Sequence, residues 1–166
     1  LLRMERTSIR RLNVLSVNTY QKAGWVLNML RHKLGDEVFW KGIRTYYEKY
    51  RNSNAMTDDF REVMESVSGK DLNAFFEQWI FTKGYPELKW KWSYKGKKLN
   101  ISIVQLQKHH TYSFPLEIGV TINGKTTINT VEVTDAKANF SIKTDAKPDS
   151  VILDPDSWLL FEDKNP

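Results

Sequence analysis

From Asn18 onward the apolar residues recur with a helical period. Ala23, Val26, Leu27, Leu30 and Leu34 stand at i, i+3, i+4, i+7 and i+11, the spacing of the buried stripe of an amphipathic helix. Asn18 or Thr19 is placed to cap its start, Gly35 to stop it, and Arg31 and Lys33 favour its last turn. Gly24 within the pattern costs about 1 kcal/mol against alanine, which points to something packed close against the backbone there. A second helix is expected from Asp36 to about Tyr50, with Phe39, Ile43, Tyr46, Tyr47 and Tyr50 on its apolar side. Thr57-Asp58-Asp59 caps a third, carrying Phe60, Val63, Met64 and Val67 and stopping at Ser68-Gly69. A fourth, from Asp71 to about Phe81, buries Leu72, Phe75, Phe76 and Trp79. Short helices on short connections predict a compact antiparallel helical lobe. Residues 1–17 have no clean period and are expected to form an irregular approach segment.

At Gly84-Tyr85-Pro86 the pattern changes, because glycine stops a helix and proline biases the residue before it away from one. Beyond it the period is two: Leu88, Trp90, Trp92 and Tyr94 alternate with Lys89, Lys91, Ser93 and Lys95. Leu99, Ile101 and Ile103 mark a second strand. Phe114 to Ile122 marks a third, closed by Asn123-Gly124, a strong hairpin signal. Shorter strands are expected around residues 127–133, 139–143, 150–153 and 158–161. About seven strands at this spacing predict an antiparallel β-sandwich of immunoglobulin-like type. The expected fold class is therefore α+β in two domains, a helical lobe over residues 1–85 and a sandwich over 86–166, packed directly without a flexible linker.

Composition narrows the chemistry. No apolar run approaches the roughly 20 residues needed to cross a bilayer, and there are no cysteines to serve as nucleophiles, disulfides or thiolate ligands. The net charge is +5. Residues 1–84 hold 14 Lys/Arg against 10 Asp/Glu, and residues 85–166 hold 11 against 10. The excess thus sits in the first half, without the dense basic stripe and exposed aromatics of a nucleic-acid binder. A chain that opens on Leu1 rather than methionine reads as a fragment or a processed product.

The histidines are His32, His109 and His110, none in the spacing of a zinc helix, and HExxH is absent. Each is expected to be solvated or satisfied locally. The face Trp90/Trp92/Tyr94 is expected to be the core side of its strand rather than a platform for sugar or peptide. Tyr20, at the start of the first helix, has no standing from composition alone.

Its standing comes from a resemblance. The run from Tyr20 through Gln21-Lys22-Ala23-Gly24-Trp25 to Arg31, followed by Leu34-Gly35-Asp36-Glu37-Val38-Phe39, resembles the segment downstream of the zinc site in aminopeptidase N-type metallopeptidases (the gluzincin aminopeptidases of peptidase family M1). Thr57-Asp58-Asp59-Phe60, Ser68-Gly69-Lys70-Asp71-Leu72, Phe76-Glu77-Gln78-Trp79-Ile80 and Gly84-Tyr85-Pro86 are similar to the same family's later helices and domain junction. Leu153-Asp154-Pro155-Asp156 resembles the end of its sandwich domain. The chain departs from the pattern at Ala23, where the family has glycine after the lysine, and at Asn28, where close relatives often have histidine.

The resemblance implies a C-terminal part of a zinc aminopeptidase that removes N-terminal residues from peptides. Only one site residue carries over: Tyr20, whose hydroxyl would donate a hydrogen bond to the oxyanion of the tetrahedral intermediate. The family's HExxH pair, third-ligand glutamate and substrate-amine loop lie upstream of this tyrosine, so zinc is expected in a full-length parent and no metal or cofactor ligand in this chain. The chain alone is expected to be inactive, with a missing N-terminal catalytic region and peptide substrates as the parent's partners, and no nucleic acid or membrane span. By analogy, the parent would be exported or periplasmic in a bacterium. The rival expectation is a non-catalytic scaffold, or a protein- or glycan-binding module, derived from a peptidase.

Overall fold

The computed structural model describes residues 17–165. The approach segment expected over residues 1–17 therefore lies outside the described residues except for its last position. Four α-helices come first: α1 (Val17–Leu34), α2 (Asp36–Tyr50), α3 (Thr57–Ser68) and the short α4 (Asn73–Phe76), which runs into a π turn over Glu77–Phe81. Seven strands follow: β1 (Glu87–Lys95), β2 (Lys98–Gln105), β3 (Phe114–Ile122), β4 (Lys125–Val133), β5 (Lys137–Lys143), β6 (Ser150–Leu153) and β7 (Glu162–Asp163). The fold class is α+β, helices then antiparallel-rich sheets. The chain divides into two compact units, one ending at Phe76 and one beginning at Glu77.

The helical unit is built on α1. Val26, Met29, Leu30 and Leu34 are buried on it, whereas Ala23 and Leu27, expected in the same stripe, are exposed. The exposed members of the stripe, Ala23 and Leu27, precede Leu30 and Leu34 along the helix. Among the described residues α1 is already helical at Val17, so Asn18 and Thr19 stand within the helix rather than capping it. Leu30 and Leu34 join Phe39, Met64, Leu72 and Phe76 in one core, with Val38, Ile43, Phe60 and Phe75 packed around it. Tyr46 stands edge-on to Phe60 at 5.0 Å, and Phe60 to Phe76 at 6.2 Å. On α2 Tyr47, expected in the buried stripe, is exposed, and Gly42, three residues after Phe39, is buried.

The turns follow local chemistry. Gly35 adopts φ 82°, which lets α1 stop and α2 start one residue later. Arg31 bridges the break with two bonds, Nε to Asp36 Oδ1 at 2.8 Å and NH2 to Oδ2 at 2.7 Å. Asp59 accepts the Met56 backbone N–H at 2.7 Å at the head of α3. The helix ends at Gly69 in the left-handed conformation. Asp71 accepts the Asn73 N–H, and Glu65 the Leu72 N–H, at the head of α4.

In the second unit the strands form a four-stranded sheet of order β5-β2-β1-β7 and a three-stranded sheet of order β4-β3-β6. All pairings are antiparallel except β1 with β7, which is parallel. The β3–β4 hairpin turns on Asn123-Gly124, both at positive φ. Leu88, Leu99, Ile101 and Ile103 are buried from the first sheet, and Phe114, Leu116, Ile118 and Val120 from the second. Trp90, Trp92 and Tyr94 lie half-buried on the Leu88 side of β1, as expected of a core-facing row.

Two features of this unit were not foreseen. The last strand is residues 162–163 rather than 158–161. The buried Asp154 carboxylate accepts the N–H groups of Trp158 and Leu159 at 2.9 and 2.8 Å, so that segment turns instead of pairing. The π turn is held by the strand unit: Trp79 lies 5.2 Å from the Tyr112 ring, and the Gln78 amide exchanges two bonds with the Ser113 backbone at 2.9 and 2.8 Å.

Two helical glycines give opposite expectations. A Cβ on Gly42 would run into the sulfur of Met64, which is buried at 1% exposure, so Gly42→Ala should destabilise the chain by about 1–3 kcal/mol through overpacking. A Cβ on Gly24 meets nothing within 4 Å, which corrects the expectation of a close backbone neighbour. Gly24→Ala should therefore stabilise the chain by up to about 1 kcal/mol. Urea unfolding of the two variants checks both signs.

Candidate functional site

The candidate site is the outward side of α1. Tyr20, Ala23, Gly24 and Leu27 stand at i, i+3, i+4 and i+7, and all are exposed, Tyr20 at 67% and Leu27 at 40%. Beside them Gln21, Gly24, Trp25 and Asn28 line a shallow depression of about 290 Å³. Gly24 forms its floor because it has no side chain. Ala23 and Leu27 continue the apolar stripe that is buried at Leu30 and Leu34, and here it is exposed.

Tyr20 is largely exposed to solvent on α1. Such a phenol can donate a hydrogen bond to an oxygen that gains charge during a reaction. Lys22 lies one residue from the open side and is half-buried; burial pushes its amine below the ordinary lysine range. At the far end of α1, the Arg31 guanidinium lies over the Trp40 ring at 5.6 Å. Its hydrogen bonds hold the Asp36 carboxyl below the usual carboxylate range. This pairing makes the α1–α2 corner that sets where the open face begins and ends.

The histidines fall in different units of the chain. His32 is exposed late in α1. His109 is exposed, and His110 half-buried, in the loop between β2 and β3, where the His110 ring stands edge-on to Tyr112 at 4.8 Å. Among the described residues no group of three or more His, Cys, Asp or Glu side chains could hold a metal ion. The zinc expected of the family therefore has no ligand set among them, and no step is assigned to it here.

Sequence reasoning missed the polar hub at Gln105, which is buried and makes four bonds. Its amide nitrogen donates to the carbonyls of Tyr112 and Asp135, and its oxygen accepts from Tyr112 N and Gln107 Nε2. The hub is structural: it ties the 105–112 loop to the strand unit. No motif announces it, because its partners are the Gln107 side chain and backbone groups of Tyr112 and Asp135 that only the folded loop brings together.

Comparison with known proteins gives this helix its class. Residues 6–79 match the Peptidase family M1 domain. The chain is 33% identical over 141 residues to probable aminopeptidase 2 of Sulfurisphaera tokodaii, covering 82% of this chain and 17% of that protein. It is 38% identical over 71 residues to aminopeptidase N of Lactococcus lactis, covering 43% of this chain and 8% of that one. The structure of Legionella pneumophila aminopeptidase A in complex with aspartic acid superposes with a TM-score of 0.73 at 18% identity, over 93% of this chain and 18% of the other. The fold is thus one found in aminopeptidases. The chain carries a segment of an M1-family aminopeptidase, and it spans under a fifth of the length of the relatives it matches.

Lys22 gives a signed prediction. Because its pKa is lowered in the folded state, the unfolded chain binds more protons over the interval up to the ordinary lysine range. Stability should therefore rise with pH across that interval. In Lys22→Met that rise should shrink when urea midpoints are compared between about pH 8 and about pH 10.5.

Proposed function

We propose that this chain is the tyrosine-bearing helical part and the following sandwich of an M1 aminopeptidase, and that Tyr20 stabilises the transition state of peptide-bond hydrolysis in the longer protein. The observation that carries it is the position of Tyr20 on a bare apolar helix face, at a point where the chain is similar in sequence to aminopeptidases. The apolar face of α1 is read as the surface on which the remaining catalytic region seats. Gly24 leaves room for that approach.

The chemistry assigned to this chain is a single contact. When water adds to the scissile carbonyl of an N-terminal residue, its oxygen gains negative charge, and the Tyr20 hydroxyl donates to it. A preorganised donor of this kind contributes about 10²–10³ in rate. The nucleophile, the proton acceptor and any metal ligands are assigned to residues outside this chain, so the chain alone is expected to be inert.

The strand unit is proposed to be an immunoglobulin-like sandwich. Its orders β5-β2-β1 and β4-β3-β6 correspond to the E-B-A and C′-C-F arrangements of that architecture. The parallel pairing of β7 with β1 puts the last strand beside the first rather than beside β6.

Two measurements test the functional reading. In the longer protein, Tyr20→Phe should lower kcat by about 10²–10³ with KM little changed, because the bond strengthens only in the transition state. An unchanged kcat removes Tyr20 from the mechanism. The 166-residue chain alone should release no amine from aminoacyl-anilide substrates; turnover by it would contradict the assignment of the remaining machinery elsewhere.

A further inference from the structure

The strand unit carries nearly balanced charge, yet the sheet register sorts it by face. Lys89, Lys91 and Lys95 of β1, Lys98 of β2, and Lys137 and Lys143 of β5 share the side of the four-stranded sheet opposite to Leu99, Ile101 and Ile103. All six of these lysines are exposed. No ion pair joins any of them to a carboxylate among the described residues. Glu87 and Glu162, on the same side at one end, are both within reach of Lys164, at 3.7 and 2.6 Å.

The register also imposes a cost. Lys95 pairs with Lys98, and Lys98 with Lys143, so three lysines stand side by side across adjacent strands. Like charges directly opposite in a sheet are destabilising. Between the lysine rows lies a shallow depression of about 630 Å³, lined on this face by Ser93, Asn100, Ser102, Asn139 and Ser141 with Lys91. Cationic groups along one strand recur at about 6.8 Å.

We propose that this face binds an acidic polysaccharide, with lysines on its carboxylate or sulfate groups and the central serines and asparagines on its hydroxyls. The inference is independent of the peptidase reading. The same strands put their aromatics, Trp90, Trp92, Tyr94 and Phe140, on the other side. The face therefore lacks the stacking platform that single-stranded nucleic acid uses, and half-buried Val104, between Lys89 and Lys137, is too little apolar surface for a membrane-inserting face. A field of lysine around hydroxyl and amide groups is complementary to a polymer that carries acid and hydroxyl groups together.

The experiment titrates the full chain with polygalacturonate, with dextran, poly(dT) and phosphatidylserine vesicles as comparison arms. Polygalacturonate should bind, more weakly as salt rises, and dextran should not. The variant Lys95→Gln/Lys98→Gln/Lys143→Gln should weaken binding by about tenfold, from roughly half a kcal/mol per exposed contact. The control Lys41→Gln/Lys108→Gln/Lys125→Gln removes the same charge elsewhere and should change binding less than about twofold. Lys98→Thr alone should raise the melting temperature while weakening binding, so the proposal stays testable if the triple variant folds poorly. Equal loss in the control, no binding, or tighter binding to poly(dT) or the vesicles would overturn it.

Discussion

Helix α1 carries one apolar stripe, and only part of its length is buried. Leu30 and Leu34 lie in the lobe core, Val26 and Met29 are buried as well, and Leu30 has no exposure at all. Burial of that kind contributes about 1.5–3 kcal/mol per large side chain, enough to fix the rotation of the helix about its axis. Ala23 and Leu27 stand seven residues before Leu30 and Leu34, on the same side of the helix, so their exposure reflects their place along the axis rather than its rotation.

The corner after α1 fixes how the chain turns into α2. Gly35 provides the positive φ, and the bidentate Arg31–Asp36 pair spans the break, with Trp40 beneath the guanidinium. Both charged groups are well exposed, so their role is geometric more than energetic. α2 and α3 then close on the core through the Gly42–Met64 contact and the Tyr46–Phe60–Phe76 series. In the second unit the same logic is carried by strands: alternation fixes which side is buried, and pairing register decides which side chains stand together on the other.

Much of this was legible in the residues. The bounds of α2, the stop at Gly69 and the hairpin at Asn123-Gly124 follow from caps and turn chemistry, which are local. The stripe of α1 was legible only in part. Ala23 and Leu27 have the period of core residues, and nothing local says that they are exposed. Likewise the 158–161 stretch has strand-like composition, but Asp154 takes two of its N–H groups. The lysine face was hidden for a different reason. Lys89 and Lys91 alternate visibly in one strand, whereas their juxtaposition with Lys98, Lys137 and Lys143 depends on register between strands distant in sequence. Tyr20 itself was singled out by resemblance, and the structure adds that its face is bare.

The central claim is that this bare face is one half of a site completed by the rest of a longer aminopeptidase. Hydroxyl-radical footprinting of Tyr20, Trp25 and Leu27, in the 166-residue chain and in the longer protein, measures that completion directly. The account predicts full labelling of Tyr20 and Leu27 in the chain alone and strong protection of Leu27 in the longer protein. Tyr20 should become protected there when a tetrahedral inhibitor is bound. Equal labelling of Tyr20 and Leu27 in both proteins, unchanged by inhibitor, would contradict it.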